Sequence, residues 1–160
     1  MEQIILAGGC FWGVQYYFDQ VPGVVSTTVG YTGGTTENPT YEDVCSHTTG
    51  HAEAVLVEYD TAKVGTDTII KQFFRMHDPT QLNRQGLDIG DNYRSAIFYV
   101  TDEQKEMAEK VIAATQKHLK EPIVTQLEPA GPFYQAEDYH QKYTEKTGRG
   151  ACHTPYERVD

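Results

Sequence analysis

Short apolar runs and segments with helical spacing of apolar residues alternate along this chain. Residues 4–7 form an apolar run that stops at two glycines, which is typical of a buried strand followed by a tight turn. Residues 10–20 then place apolar side chains at helical spacing before a Val-Pro-Gly sequence, which predicts a helix. The pattern therefore predicts that Cys10 lies at a junction between a strand and a helix.

The rest of the chain continues this alternation. Strands are predicted at residues 24–31, 52–59, 93–100 and 123–127, and helices at about 39–46, 66–77, 101–119 and 136–145. Residues 147–160 carry glycines and a proline and are predicted to form an irregular, flexible tail. The order favours an α+β fold over a doubly wound α/β fold, with a mixed sheet and packed helices in a ferredoxin-like two-layer sandwich. Without repeats or linkers, residues 1–160 are expected to form a single domain.

The charge pattern narrows the range of partners. The 160 residues include 23 acidic and 13 basic side chains, which gives a formal net charge of -10. An acidic chain repels phosphate groups, so neither nucleic acid nor an anionic membrane surface is expected as a partner. The first 62 residues contain no Lys or Arg, so Cys10 has no cationic side chain near it in sequence.

The sequence contains no pattern typical of export, membrane insertion or cofactor binding. No apolar run approaches roughly 18 residues and no signal peptide is recognisable, so a cytoplasmic protein is expected. Three cysteines without CxxC spacing argue against a disulfide scaffold. No glycine-rich nucleotide motif is present, and we expect no cofactor. We also expect no metal, because the candidate ligands match no usual zinc spacing: Cys45, His47, His51, Cys152 and His153.

Cys10 and Glu53 are the two residues whose predicted positions indicate a catalytic role. A sulfur at a helix N-terminus feels the positive end of the helix dipole, which favours the reactive thiolate, although a small apolar core residue is the simpler reading. Phe11 and Trp12, directly after Cys10, suggest an aromatic pocket wall. Strand alternation places Glu53 on the face of the apolar residues at 55, 57 and 59. An inward carboxyl there would have a raised pKa, whereas an edge-strand carboxylate facing water would not.

Sequence blocks distributed over nearly the whole chain resemble those of one enzyme family. The block Gly-Cys-Phe-Trp-Gly at residues 9–13 is the most distinctive of them. Further matching blocks lie at residues 30–34, 38–41, 50–55, 77–79, 84–86, 93–95 and 136–141. Asp88 and Gly90, between the blocks at 84–86 and 93–95, also match. In this order the blocks resemble peptide methionine sulfoxide reductases of the A type.

The resemblance implies a role for each candidate residue. Cys10 would be the nucleophile that attacks the sulfur of methionine sulfoxide, and Phe11 and Trp12 would form the pocket for the substrate methyl group. Glu53 would be the general acid that protonates the sulfoxide oxygen. A sulfoxide oxygen leaves readily only when it is protonated or strongly hydrogen-bonded, so an acid in this position is chemically sensible.

Two tyrosines and one aspartate complete the site that the resemblance implies. Tyr41 and Tyr93 would donate hydrogen bonds to the sulfoxide oxygen, and Asp88 would position water or substrate. For the tyrosines a purely structural role is the simpler alternative, because the chain contains 11 of them and most must fill the core.

The family resemblance also implies how Cys10 is regenerated. Attack would leave Cys10 as a sulfenic acid, which Cys152 in the predicted tail would condense to a disulfide that thioredoxin reduces. Cys45, in the predicted short helix, is interpreted as a packed core thiol.

Two other functions fit parts of the sequence. A cysteine acyltransferase or hydrolase would pair Cys10 with His51 or His140. A peptide-binding module would use Phe11 and Trp12 as a pocket and leave Cys10 incidental.

The chain departs from the family pattern at three positions that carry no predicted catalytic group. These are Gln15, where Glu is frequent, His47, where a small residue is common, and Asn92, where Gln is common. We expect such differences to affect substrate preference and loop shape.

Overall fold

A six-stranded sheet organises the fold. The computed structural model describes residues 1–46, 49–86 and 88–142. The strands of the sheet are β1 (Glu2–Gly8), β2 (Val24–Thr32), β3 (Ala52–Tyr59), β6 (Ser95–Tyr99), β7 (Gln126–Pro129) and β8 (Phe133–Gln135), and a separate hairpin contains β4 (Arg84–Gln85) and β5 (Asp88–Ile89). The predicted tail at 147–160, with Cys152, lies outside the described residues.

The strand order of the large sheet is β7-β6-β1-β3-β2-β8. All neighbouring strands run antiparallel except β6 and β7, which are parallel. Leu6 of β1 lies opposite Val55 of β3, and Glu53 of β3 lies opposite Tyr31 of β2. The predicted mixed α+β architecture is therefore confirmed.

In the described residues, four α-helices connect the strands: α1 (Phe11–Asp19), α2 (Tyr41–Cys45), α3 (Thr66–Met76) and α4 (Asp102–Gln116). Both α2 and α4 begin with a capping box, in which Thr40 pairs with Asp43 and Thr101 pairs with Gln104. Within the described ranges, no helix combines the length and the apolar character that crossing a membrane requires.

Side chains alternate between the two faces of the sheet. In β1, Ile4 and Leu6 pack into the cluster that includes the apolar faces of α1 and α3. Ile5 and Ala7 point to the opposite face, where they pack with Phe98. The sheet is thus buried on both sides, and the ends of β1 and β3 that meet α1 lie within this packed region.

Three predicted elements differ from the observed ones. The strand predicted at 93–100 begins two residues later, because Gly90 adopts a backbone φ of 144° and leads into a 3₁₀ turn at Asp91–Tyr93. The strand predicted at 123–127 is shifted to Gln126–Pro129, where it pairs with β6.

The helix predicted at 136–145 is wrong over the residues that the structure describes. This segment instead follows β8 along the edge of β2 and contains only a 3₁₀ turn at Asp138–His140. The side chain of Gln141 accepts from the backbone N–H of Val29 at 3.0 Å and donates to its carbonyl at 3.0 Å. These bonds satisfy the backbone of β2 just beyond the end of β8, which a helix in this position would leave unpaired.

Candidate active site

Cys10 lies between the end of β1 and the first residue of α1, as predicted. Gly9 reaches this junction with a positive φ of 99°, a conformation that favours glycine. The preceding Gly8 packs so closely on α3 that an added Cβ would lie 2.9 Å from the ring of Phe73. The turn therefore places the half-buried Cys10 directly after a glycine that is closely packed in the core.

The Cys10 thiol is neutral in the resting protein. Burial raises the pKa of Cys10 far above its usual range, and the nearby carboxyls of Glu53 and Asp88 raise it further. The backbone N–H groups of Trp12 and Gly13 lower the pKa, as expected for a helix N-terminus, but they do not outweigh burial. The helix alone is therefore insufficient to generate a thiolate.

Glu53 points inward, as strand alternation predicts, and is 1% exposed. Its Oε1 accepts from the backbone N–H of Phe11 at 3.3 Å, and its Oε2 accepts from Nδ2 of Asn92 at 3.3 Å. Burial raises the pKa of Glu53 to about 8; the two hydrogen bonds lower it and Asp88 raises it. Most Glu53 side chains therefore carry a proton at neutral pH, directly beside the start of the Cys10 helix.

An aromatic cluster forms around Phe11 and Trp12, the two residues that follow Cys10. Phe11 is fully buried, and the half-buried Trp12 ring lies 6.4 Å from the Tyr41 ring at an interplanar angle of 20°. The indole N–H of Trp12 donates to Nδ1 of His140 at 2.9 Å. This bond requires the His140 proton to be on Nε2 and fixes the orientation of the indole.

Tyr41 and Tyr93 approach the site from α2 and from the 3₁₀ turn. Burial raises the pKa of both phenols, and the nearby carboxyl of Glu53 raises them further. Both hydroxyls therefore remain protonated and able to donate. The Tyr41 hydroxyl is also hydrogen-bonded to the thiol of Cys45, one helical turn later. Cys45 is half-buried, so its interpretation as a packed core thiol is wrong.

Glu137 anchors the start of α2. Its Oε1 accepts from the hydroxyl of Tyr31 at 3.1 Å, and its Oε2 accepts from the backbone N–H of Tyr41 at 3.3 Å. Burial raises the pKa of Glu137, but these hydrogen bonds outweigh it and leave the pKa below its usual range. The carboxylate therefore stays charged and connects α2 to β2.

Sequence reasoning missed the roles of Asn92, Glu137 and His140. All three lie in or next to blocks of the family resemblance, which was the only available signal. Asp88 was predicted, and its carboxyl is close enough to influence the pKa values of Cys10 and Glu53. Cys152 lies outside the described residues, so the structure brings together only the other predicted site residues.

Neither histidine predicted for a Cys-His hydrolase, His51 or His140, is hydrogen-bonded to Cys10 among the bonds that the described residues make. Nδ1 of His51 accepts from the backbone N–H of Gly34 at 3.0 Å, and its Nε2 bonds the carbonyl of Thr36 at 2.6 Å. His140 uses Nδ1 for Trp12. The described residues also contain no group of three or more His, Cys, Asp or Glu side chains suited to a metal ion.

Comparison with known proteins assigns the family. A sequence model described as "Peptide methionine sulfoxide reductase" matches residues 2–160. The chain belongs to the peptide methionine sulfoxide reductase family. It is 54% identical to the "Peptide methionine sulfoxide reductase MsrA" of Pasteurella multocida over 142 residues, which cover 89% of this chain and 82% of the relative. The reductase is therefore of the A type and is an oxidoreductase that acts on methionine sulfoxide.

Solved structures of the same family superpose on this reductase. Reduced Mxr1 from Saccharomyces cerevisiae matches with a TM-score of 0.93 at 35% identity, covering 99% of this chain and 92% of the yeast chain. Mxr1 in complex with Trx2 matches with a TM-score of 0.67 at 28% identity, covering 99% and 90%. The fold and the family assignment therefore agree.

Proposed function

We propose that this reductase converts methionine-S-sulfoxide, free or in proteins, to methionine, with Cys10 as the nucleophile and Glu53 as the general acid. The main support for the proposal is that Glu53 is buried and largely protonated. Glu53 also accepts a hydrogen bond from the backbone N–H of Phe11, the residue directly after Cys10. A proton held at a pKa near the working pH is the property that general acid catalysis requires.

The surrounding side chains suit a methyl sulfoxide. Trp12 and Phe11 offer an apolar surface for the methyl group, since His140 holds the indole in place. Tyr41 and Tyr93 carry protonated hydroxyls next to Glu53 and supply donors for the sulfoxide oxygen. Asp88 positions water or substrate and keeps Glu53 protonated through its negative charge.

The net result of the first step is the transfer of oxygen from substrate sulfur to Cys10. The Cys10 sulfur attacks the sulfoxide sulfur while Glu53 protonates the oxygen, so a sulfur–sulfur bond forms as the S–O bond of the substrate breaks and water is released. Water then attacks the Cys10 sulfur, the sulfur–sulfur bond breaks, and a proton returns to Glu53. Methionine sulfoxide is thereby reduced to methionine, which leaves, and Cys10 is oxidised to a sulfenic acid. The thiol proton and the oxygen balance this exchange without another reactant.

The second step regenerates the thiol. Cys152 attacks the sulfenic sulfur, water leaves, and a Cys10–Cys152 disulfide forms. The dithiol of thioredoxin then reduces this disulfide and is itself oxidised. The solved complex of yeast Mxr1 with Trx2 supports thioredoxin as the reductant.

The strand order supports a ferredoxin-like fold, and the proposed recycling by thioredoxin supports a cytoplasmic location. The order of the four central strands, β6-β1-β3-β2, with α1 and α3 as connections, supports a ferredoxin-like arrangement in one domain. Recycling of a disulfide by thioredoxin requires a reducing compartment, which favours the cytoplasm.

The test uses purified wild type, Cys10→Ser and Cys152→Ser with a methionine sulfoxide peptide. With dithiothreitol we expect turnover by wild type and Cys152→Ser and none by Cys10→Ser. With thioredoxin we expect turnover by wild type alone. A wild-type protein that cannot reduce the peptide contradicts the proposal, and thioredoxin-supported turnover by Cys152→Ser contradicts the assignment of the second thiol.

A further inference from the structure

Glu53 is held by two N–H donors and by no acceptor among the described residues. Its Oε1 receives the backbone N–H of Phe11 and its Oε2 receives Nδ2 of Asn92. This arrangement suits an ionised carboxylate, which only accepts hydrogen bonds. The protonated acid also has an O–H group, and a buried O–H group needs an acceptor.

Asn92 contains the missing acceptor. The residue is 1% exposed, and its Oδ1 is buried without a hydrogen-bond partner among the described residues. The oxygen and the nitrogen of a carboxamide are nearly equal in size and exchange places when the group turns half-way round. Such a turn brings Oδ1 of Asn92 to the position where Nδ2 now contacts Oε2 of Glu53.

We propose that Asn92 is a positioning residue whose amide reverses with the protonation state of Glu53. Oδ1 accepts from the acid before proton transfer, and Nδ2 donates to the carboxylate after it. No bond to Asn92 forms or breaks, since the proton moves only between Glu53 and the reacting oxygen. The inference rests on the proposed role of Glu53 as the acid and explains how one buried carboxyl is held in both states.

Within the part of the chain that the structure describes, no cationic side chain appears among the groups that shift the pKa of Glu53. The groups that interact with it electrostatically are acids, phenols and thiols on several elements: Cys10, Tyr31, Tyr41, Cys45, Asp88 and Tyr93. The charged form of each of these groups is negative, so it disfavours the carboxylate form of Glu53. The hydrogen bonds from Phe11 and Asn92 therefore have to stabilise the negative charge that remains on Glu53 after proton transfer.

The direct test is a pH titration of the wild-type protein by NMR. The carboxyl carbon of Glu53, assigned with Glu53→Gln, reports its protonation, and the side-chain NH₂ signals of Asn92 report its hydrogen bonds. We expect the Asn92 signals to move with the same midpoint as the Glu53 carbon. Asn92 signals that stay constant while Glu53 titrates would overturn the proposal.

Variants at position 92 test the same idea thermodynamically. Asn92→Leu removes both the donor and the acceptor. The bond to the charged carboxylate is the stronger of the two, so its loss outweighs loss of the acceptor and raises the midpoint of Glu53 by about one pH unit, about tenfold in its ionisation constant. Asn92→Gln keeps the amide and returns the midpoint towards that of wild type. Asn92→Ala, which also lacks a side-chain donor and acceptor, serves the same purpose if Asn92→Leu does not fold.

Gln15→Leu is the matched control, because Gln15 is an equally buried amide that bonds Thr27 and Lys142 instead of Glu53. We expect it to leave the Glu53 midpoint unchanged. An equal midpoint in Asn92→Leu and Gln15→Leu would contradict the role of Asn92.

Kinetics separate this inference from the proposed function. With dithiothreitol as reductant, Asn92→Leu is expected to lower kcat about tenfold, to leave KM nearly unchanged and to shift the alkaline limb of the pH profile upwards. Full activity of Glu53→Gln would remove Glu53 as the acid but leave the NMR result standing. A constant Asn92 signal would remove the amide reversal but leave the catalytic assignment standing.

Discussion

The raised pKa of Glu53 can be tested by comparing the stability of wild type and Glu53→Gln at different pH values. Burial raises the pKa of the Glu53 carboxyl from the usual 4.5 to about 8. Between these two values the folded protein binds a proton that the unfolded chain has lost, so stability must fall as the pH rises. Gln has nearly the same shape and does not ionise, so the variant escapes this loss.

The size of the effect follows from the pKa shift. One pKa unit corresponds to about 1.4 kcal/mol, so the ionised Glu53 costs about 5 kcal/mol of stability above pH 8 and nothing below about pH 4.5. For a domain of this size, about 5 kcal/mol corresponds to roughly 10–20 °C in melting temperature. Glu53→Gln should therefore gain this much stability over wild type between pH 5 and pH 9.

The assay is urea or thermal unfolding of both proteins at a series of pH values, with all cysteines kept reduced. The difference between the two stabilities isolates Glu53, because most other titrations cancel. Glu58→Gln, in the same strand, controls for the loss of a β3 carboxylate. Parallel stability curves for wild type and Glu53→Gln would refute the raised pKa and, with it, the supply of a proton at neutral pH.

Three further changes test the supports of the site. Glu137→Ala should lower kcat/KM about tenfold with dithiothreitol, because the N-terminus of α2 and hence Tyr41 lose their anchor; unchanged kinetics would contradict this. Tyr93→Phe should lower kcat/KM about tenfold to a hundredfold if its hydroxyl donates to the sulfoxide oxygen, and wild-type kinetics would exclude that role. Gly34→Ala should cost about 2 kcal/mol in urea unfolding, since its Cβ would clash with the backbone before β3, whereas Gly131→Ala enters open space and should be neutral; equal stabilities would contradict the packing.

Local sequence patterns were sufficient to place the two central groups of the site. An apolar run followed by two glycines predicted the Cys10 turn, and strand alternation predicted that Glu53 points inward. Both features depend on neighbouring residues only. The same holds for α4, whose capping box at Thr101 marks its start.

The contacts that tune the site join distant parts of the chain and leave no local pattern. Asn92 and Glu53 lie 39 positions apart, and Trp12 and His140 lie 128 positions apart. The prediction of a helix at 136–145 was wrong for the same reason. The backbone of Val29 on β2, just beyond the end of β8, decides the conformation of this segment, and the local sequence does not show that contact.

The net direction of the Cys10 pKa also depends on tertiary structure. The sequence indicated the helix N-terminus, which does lower the pKa, but burial and the facing carboxyls outweigh it. A neutral resting thiol means that reactivity has to arise together with proton donation to the substrate. This protects the thiol from unspecific oxidation, since the thiolate is the reactive form.

A single-turnover experiment without reductant tests the central claim most directly. Reduced protein is mixed with excess methionine sulfoxide peptide, methionine peptide is counted, and the oxidised cysteine is trapped with dimedone and located by mass spectrometry. For Cys152→Ser we predict one methionine per chain and a dimedone adduct at Cys10, and for Cys10→Ser we predict neither. Methionine formation by Cys10→Ser, or an adduct at Cys45 in place of Cys10, would contradict the account.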